Sequence, residues 1–75
     1  MKKFVYQVAG FEFVDTMAFG AAWKDAKAMA SENNYPVYRL VIKDEEAKQE
    51  VYCTGGCFLP VNMVKKENIK INWKG

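Results

Sequence analysis

VYRLVIK, residues 37–43, is the stretch whose facing decides the fold. Valine, isoleucine and tyrosine favour an extended, half-buried backbone, and a strand sends successive side chains to opposite faces. Tyr38, Leu40 and Ile42 share one face; Val37, Arg39, Val41 and Lys43 share the other. A face carrying arginine and lysine reads outward, so the alternation predicts that Tyr38, Leu40 and Ile42 look into the core.

The next segment extends the same logic. Gln49–Thr54 reads as a second strand, joined to the first by the acidic turn Asp44-Glu45-Glu46 and paired with it antiparallel, with Val51 and Cys53 inward. Ile69–Lys74 alternates without a fault and predicts a further strand with Ile69, Ile71 and Trp73 inward. Between them Pro60–Lys66 begins with a residue suited to a first helical turn and predicts a short helical or 3₁₀ piece. The outward face then collects Val37, Arg39, Val41, Lys43, Glu50, Tyr52, Thr54, Lys70, Asn72 and Lys74.

Upstream, Phe4–Val8 and Phe11–Val14 read as a hairpin about Ala9-Gly10, with its register left open because alanine suits a positive φ poorly. Asp15 is placed to cap a helix running to about Glu32, with Val14 and Phe19 spaced as a hydrophobic staple. Phe19, Ala22, Trp23, Ala26, Met29 and Ala30 recur at the three-and-four spacing of one buried stripe. Gly20 falls inside that helix, which predicts a packing reason such as a close approach to the sheet. Asn33-Asn34 and Pro36 end it.

The order β-β-α-β-β-β predicts a single domain over residues 1–75. Its class is α+β: two layers, a mainly antiparallel sheet of about five strands with one helix packed on one face. Seventy-five residues with eleven aromatics and 51% hydrophobic residues supply a core without a metal or disulfide staple. One helix covers one face, so the other must be polar, covered otherwise, or adhesive.

Several chemistries are missing. There is no histidine, which removes the usual general base and the commonest metal ligand. Asp44, Glu45 and Glu46 belong to a turn and Asp15 to a cap, so no enzyme is expected. The start MKKFVYQVAG lacks the continuous apolar core of an export signal, and no run approaches the roughly 20 apolar residues that span a bilayer. A cytoplasmic location with reduced thiols is expected, without a membrane partner. The formal charge is +2, with Lys65, Lys66, Lys70 and Lys74 set against Glu67 after residue 50.

The two cysteines lie in VYCTGGCFLP, Val51–Pro60. A C-x3-C pair with no third thiolate and no histidine excludes a zinc site in a monomer, so neither a metal nor a cofactor is expected. If Gly55-Gly56 form a two-residue turn, Cys53 faces Phe58 and the thiols are diagonal, an offset that does not favour a disulfide, although a different turn would bring the sulfurs together. A structural reading, with Cys53 a small core residue and the glycines supplying positive φ, is preferred.

The outward face is therefore the expected contact surface. Val37, Arg39, Val41, Lys43, Tyr52, Lys70 and Lys74 are its candidate partner-binding residues, with Arg39 as anchor because its planar fork suits a specific carboxylate. The bland reading pairs Arg39 with Glu50 across neighbouring strands. The expectation is a small non-enzymatic interaction or regulatory module, of the general type of bacterial or phage accessory proteins. It would bind an unidentified protein or itself as a homodimer, through the helix-free sheet face or an edge strand. Single-stranded nucleic acid, stacked on Tyr52 with its phosphates tracked by the cations, ranks second.

Overall fold

Ala9 and Gly10 both have positive φ, 48° and 88°, which makes the first connection a two-residue turn of the kind that matches strand twist. The strands it joins are β1 (Lys2–Val8) and β2 (Phe11–Asp15), paired so that Val8 faces Phe11 and Phe4 faces Asp15. A second two-residue turn, with Asp44 at φ 56°, joins β3 (Tyr38–Lys43) to β4 (Glu46–Tyr52). The computed structural model describes residues 1–74, and its remaining elements are α1 (Ala21–Asn33), β5 (Phe58–Pro60) and two 3₁₀ turns, Val61–Met63 and Lys66–Asn68. The strands form one antiparallel sheet in the order β2-β1-β3-β4-β5 with one helix, which is the expected α+β architecture.

The helix lies where the alanine stripe predicts. Ala22, Trp23, Ala26 and Ala30 are buried against Phe4, Tyr6, Val8 and Val37, and alanines at four-residue spacing let the helix axis approach the sheet closely. Asn34, at φ 57°, ends the helix in the left-handed conformation, and the N–H of Tyr35 closes back on the carbonyl of Ala30.

The start of the helix differs from expectation. Asp15 closes β2 rather than opening the helix, and Gly20 is the N-terminal flanking residue. Asp15 still caps the helix, across a loop: its carboxylate accepts from the N–H groups of Thr16, Met17 and Ala22. A Cβ on Gly20 would sit 2.6 Å from Asp15 Oδ2, so the glycine is needed for the carboxylate to reach. Val14 is 57% exposed and forms no staple.

The fifth strand is Phe58–Pro60, and not Ile69–Lys74. The later segment occupies the slot that β3 leaves empty before Tyr38. Thr54 N–H donates to Asn68 O, Lys70 N–H donates to Tyr52 O, and Ile69 forms an isolated bridge with Cys53. Only the end of β4 is present there to pair with, so its alternating pattern yields one bridge instead of a ladder.

The tail also crosses the sheet. Pro60 lies beside Glu50 on one side of β4, and Asn68 lies beside Thr54 on the other. The first 3₁₀ turn packs against β4. Val51 and Cys53 face away from the helix yet are buried, Val51 to 1% exposure, so the crossing covers that face.

Candidate functional site

The alternation of β3 is the reverse of that expected. Val37 is fully buried in the cluster formed by α1 and β1, and Val41 packs against the same cluster. Val37, Arg39 and Val41 therefore point toward the helix layer, and Tyr38, Leu40 and Ile42 lie on the helix-free face. The physical reason is that the charge at Arg39 is neutralised within the sheet.

Arg39 and Glu50 are direct cross-strand partners. Arg39 Nε and Nη2 both donate to Glu50 Oε1, at 3.0 and 2.6 Å. The guanidinium is enclosed by four rings, with centroids at 4.1 Å (Phe58), 5.3 Å (Phe4), 5.8 Å (Phe19) and 5.9 Å (Tyr6). Such rings attract a desolvated cation through their negative faces, and Arg39 as a whole is 9% exposed. The loop before α1 supplies Phe19, β1 supplies Phe4 and Tyr6, and β5 supplies Phe58.

Two buried polar atoms in this cage, Tyr6 Oη and Arg39 Nη1, lack a well-formed hydrogen bond. Burial pushes the Tyr6 hydroxyl above its ordinary pKa, while the neighbouring Arg39 pulls it partly back. Tyr6 therefore stays protonated at neutral pH. Within the cage Nε and Nη2 are taken up by Glu50, and the remaining arm, Nη1, is buried. The expected outward facing of Arg39 is corrected: it lies on the helix side, 9% exposed and paired with Glu50, as the bland reading had it.

The other candidates separate into distinct places. Tyr52 is half-buried, stacked on Trp73 at 5.5 Å with rings 10° from parallel, and also packs against Trp23 and Phe58. Lys70 lies over Trp73, and Lys74 Nζ donates to the helix-terminal carbonyl of Glu32. Trp73 Nε1 donates to Tyr35 O, so the tail clasps the C-terminal end of α1. Val41 and Lys43 line a shallow hollow of about 260 Å³ shared with Lys2, Glu46, Lys48 and Glu50. The seven candidate residues thus do not form one surface.

The two edges of the sheet are unequal: β5 has three residues and ends in proline, whereas β2 has five and a free outer side. Val8 and Phe11 close a two-residue turn, so the main-chain groups of Phe11 and Phe13 pair with β1 and those of Glu12 and Val14 point outward. Phe11, on the helix side of this strand, is 60% exposed, and Val14, on the helix-free side, is exposed as well. On the helix-free face Val14 continues across Val5 to Leu40, an apolar row spanning three strands.

No family model matches the chain, and neither a curated protein nor a solved structure matches it. Among the described residues no helix is long and apolar enough to cross a membrane.

Proposed function

We propose that this chain is a non-enzymatic interaction module that takes up a protein strand, in the simplest case that of a second copy, along β2. The observation that carries this reading is the open edge, with the backbone groups of Glu12 and Val14 turned outward and Phe11 and Val14 exposed beside them. An added strand satisfies those groups by ordinary ladder hydrogen bonds, and the exposed side chains supply apolar contact. A two-fold axis at Phe13 sets Glu12 against Val14 and Phe11 against Asp15 of the second copy, so no like charges oppose each other. A cytoplasmic setting, as the sequence suggests, fits such a module.

Light scattering over a concentration series, combined with amide exchange, tests this. Association should rise with concentration and slow the exchange of the Glu12 and Val14 amides, and Val14→Lys should weaken it about tenfold or more by placing a charge on the edge. A chain that stays monomeric at the highest concentration, and whose Val14→Lys variant retains every captured partner, overturns the reading.

The nucleic-acid alternative has less support. The stacking face of Tyr52 is occupied by Trp73, Arg39 is committed to Glu50, and the hollow around Lys2, Lys43 and Lys48 also holds Glu46 and Glu50. Salt-dependent binding of a labelled single strand would revive it.

A further inference from the structure

The turn between β4 and β5 is not the two-residue turn expected from Gly55-Gly56. Tyr52 and Phe58 are the last ladder pair; beyond them Cys53 N–H donates to Cys57 O and Gly56 N–H donates to Cys53 O, each at 2.9 Å, which closes a three-residue loop, Thr54-Gly55-Gly56, with Gly56 and Cys57 set together across from Cys53 as a bulge. Gly56, at φ 85°, takes the left-handed position that such a loop requires. The two cysteines therefore lie across the loop from each other, joined by one hydrogen bond, and not diagonally. Tyr52 and Phe58 contact each other and Trp23 on the helix side, so the alternation sends both thiols to the other face.

We propose that Cys53 and Cys57 form a dithiol that closes to a disulfide on exposure to a low-molecular-weight disulfide, locking the β4–β5 loop. Residues across from each other on antiparallel strands have Cα atoms about 4.5–5.5 Å apart, inside the roughly 4.4–6.8 Å that a disulfide spans, and the single hydrogen bond and the adjoining glycines leave the loop free to draw the Cβ atoms to the roughly 3.5–4.5 Å that closure needs. The thiols differ in a way that sets the order of events. Cys57 is exposed and Cys53 is buried, its Sγ donating to Val51 O at 3.4 Å. Burial, and to a lesser degree the neighbouring Cys57, raises the Cys53 pKa, so Cys57 reacts first.

The Cys57 thiolate attacks one sulfur of oxidised glutathione and releases one glutathione thiolate. Cys53, giving up its proton to solvent, attacks Cys57 Sγ and displaces the second. Two cysteine S–H bonds and one glutathione S–S bond become one protein S–S bond and two molecules of reduced glutathione. The loop borders the tail, since Thr54 N–H holds Asn68 O and Cys53 bridges Ile69. Closure therefore stiffens the point where the tail rejoins β4.

The test equilibrates the full chain in glutathione redox buffers, folded and in denaturant, and reads intact mass. The folded chain should lose two hydrogens and carry no glutathione, with an equilibrium constant for closure on the order of tenfold above that of the unfolded chain. Cys57→Ser, at an exposed position, should leave Cys53 unreacted while the chain is folded. Accumulation of a stable glutathione adduct on the folded wild type, or closure no more favourable folded than unfolded, overturns the proposal.

Discussion

The two faces of this sheet invert the usual expectation. The face under the helix holds the buried cation, Arg39 with Glu50, among Phe4, Tyr6, Phe19 and Phe58. The face with no helix carries Val5, Leu40 and Val51, covered at one end by the tail and open toward β2. The difference teaches that a charge on a strand marks the solvent side only when nothing across the ladder neutralises it. Glu50, one strand away, removes that information from Arg39.

The largest expected effect tests the helix-side cluster. Trp23 contacts Tyr6, Phe19, Tyr52 and Phe58, and Trp23→Ala should lower unfolding free energy by about 3–5 kcal/mol in a denaturant titration. Glu50→Ala leaves Arg39 enclosed without its carboxylate and should cost about 3 kcal/mol. Replacing both partners with apolar residues should recover most of that loss. A Glu50→Ala variant as stable as the wild type would remove the cage from any account of the fold. On the opposite face Leu40→Ala should cost less, about 1–2 kcal/mol, because Leu40 is only half-buried. A loss equal to that of Trp23→Ala would mean that this face is as fully enclosed as the first.

Acid titration separates the helix cap from both faces. The N–H of Ala22, followed by those of Met17 and Thr16, holds the Asp15 carboxyl below its usual range. Stability from a depressed carboxylate is present above the unfolded value near about 4 and is lost as pH falls through the folded one. Thermal stability should therefore fall below about pH 4, and Asp15→Asn should flatten that decline. The smallest expected effect is a gain: Ala9→Gly relieves an alanine at positive φ and should add about 1 kcal/mol.

Much of the architecture was legible because local rules suffice for it. The alanine stripe, the Asn33-Asn34 stop and the acidic turn each specify their element from neighbouring residues. The failures share a cause in distant partners. Asp15 caps a helix seven residues away, Arg39 is buried by a carboxylate eleven residues on, and Ile69–Lys74 lacks a strand to pair with. At the cysteines a single added loop residue sets the pair across the loop from each other instead of diagonally. Of the candidate contact residues, Val41 and Lys43 line the hollow beside the cage. The edge strand, which the alternation of VYRLVIK does not touch, carries the proposed contact.

The crossing tail has a consequence for assembly during synthesis. The hairpin β1–β2, the helix and β3 can associate as they emerge, because each finds its neighbour already made. Val51 and Cys53 have no cover until residues 61–73 leave the ribosome and Trp73 reaches Tyr35 at the far end of the helix. The nascent domain thus passes through a stage in which Val51 and Cys53 are naked, and residues 61–73 then latch that part of the sheet shut.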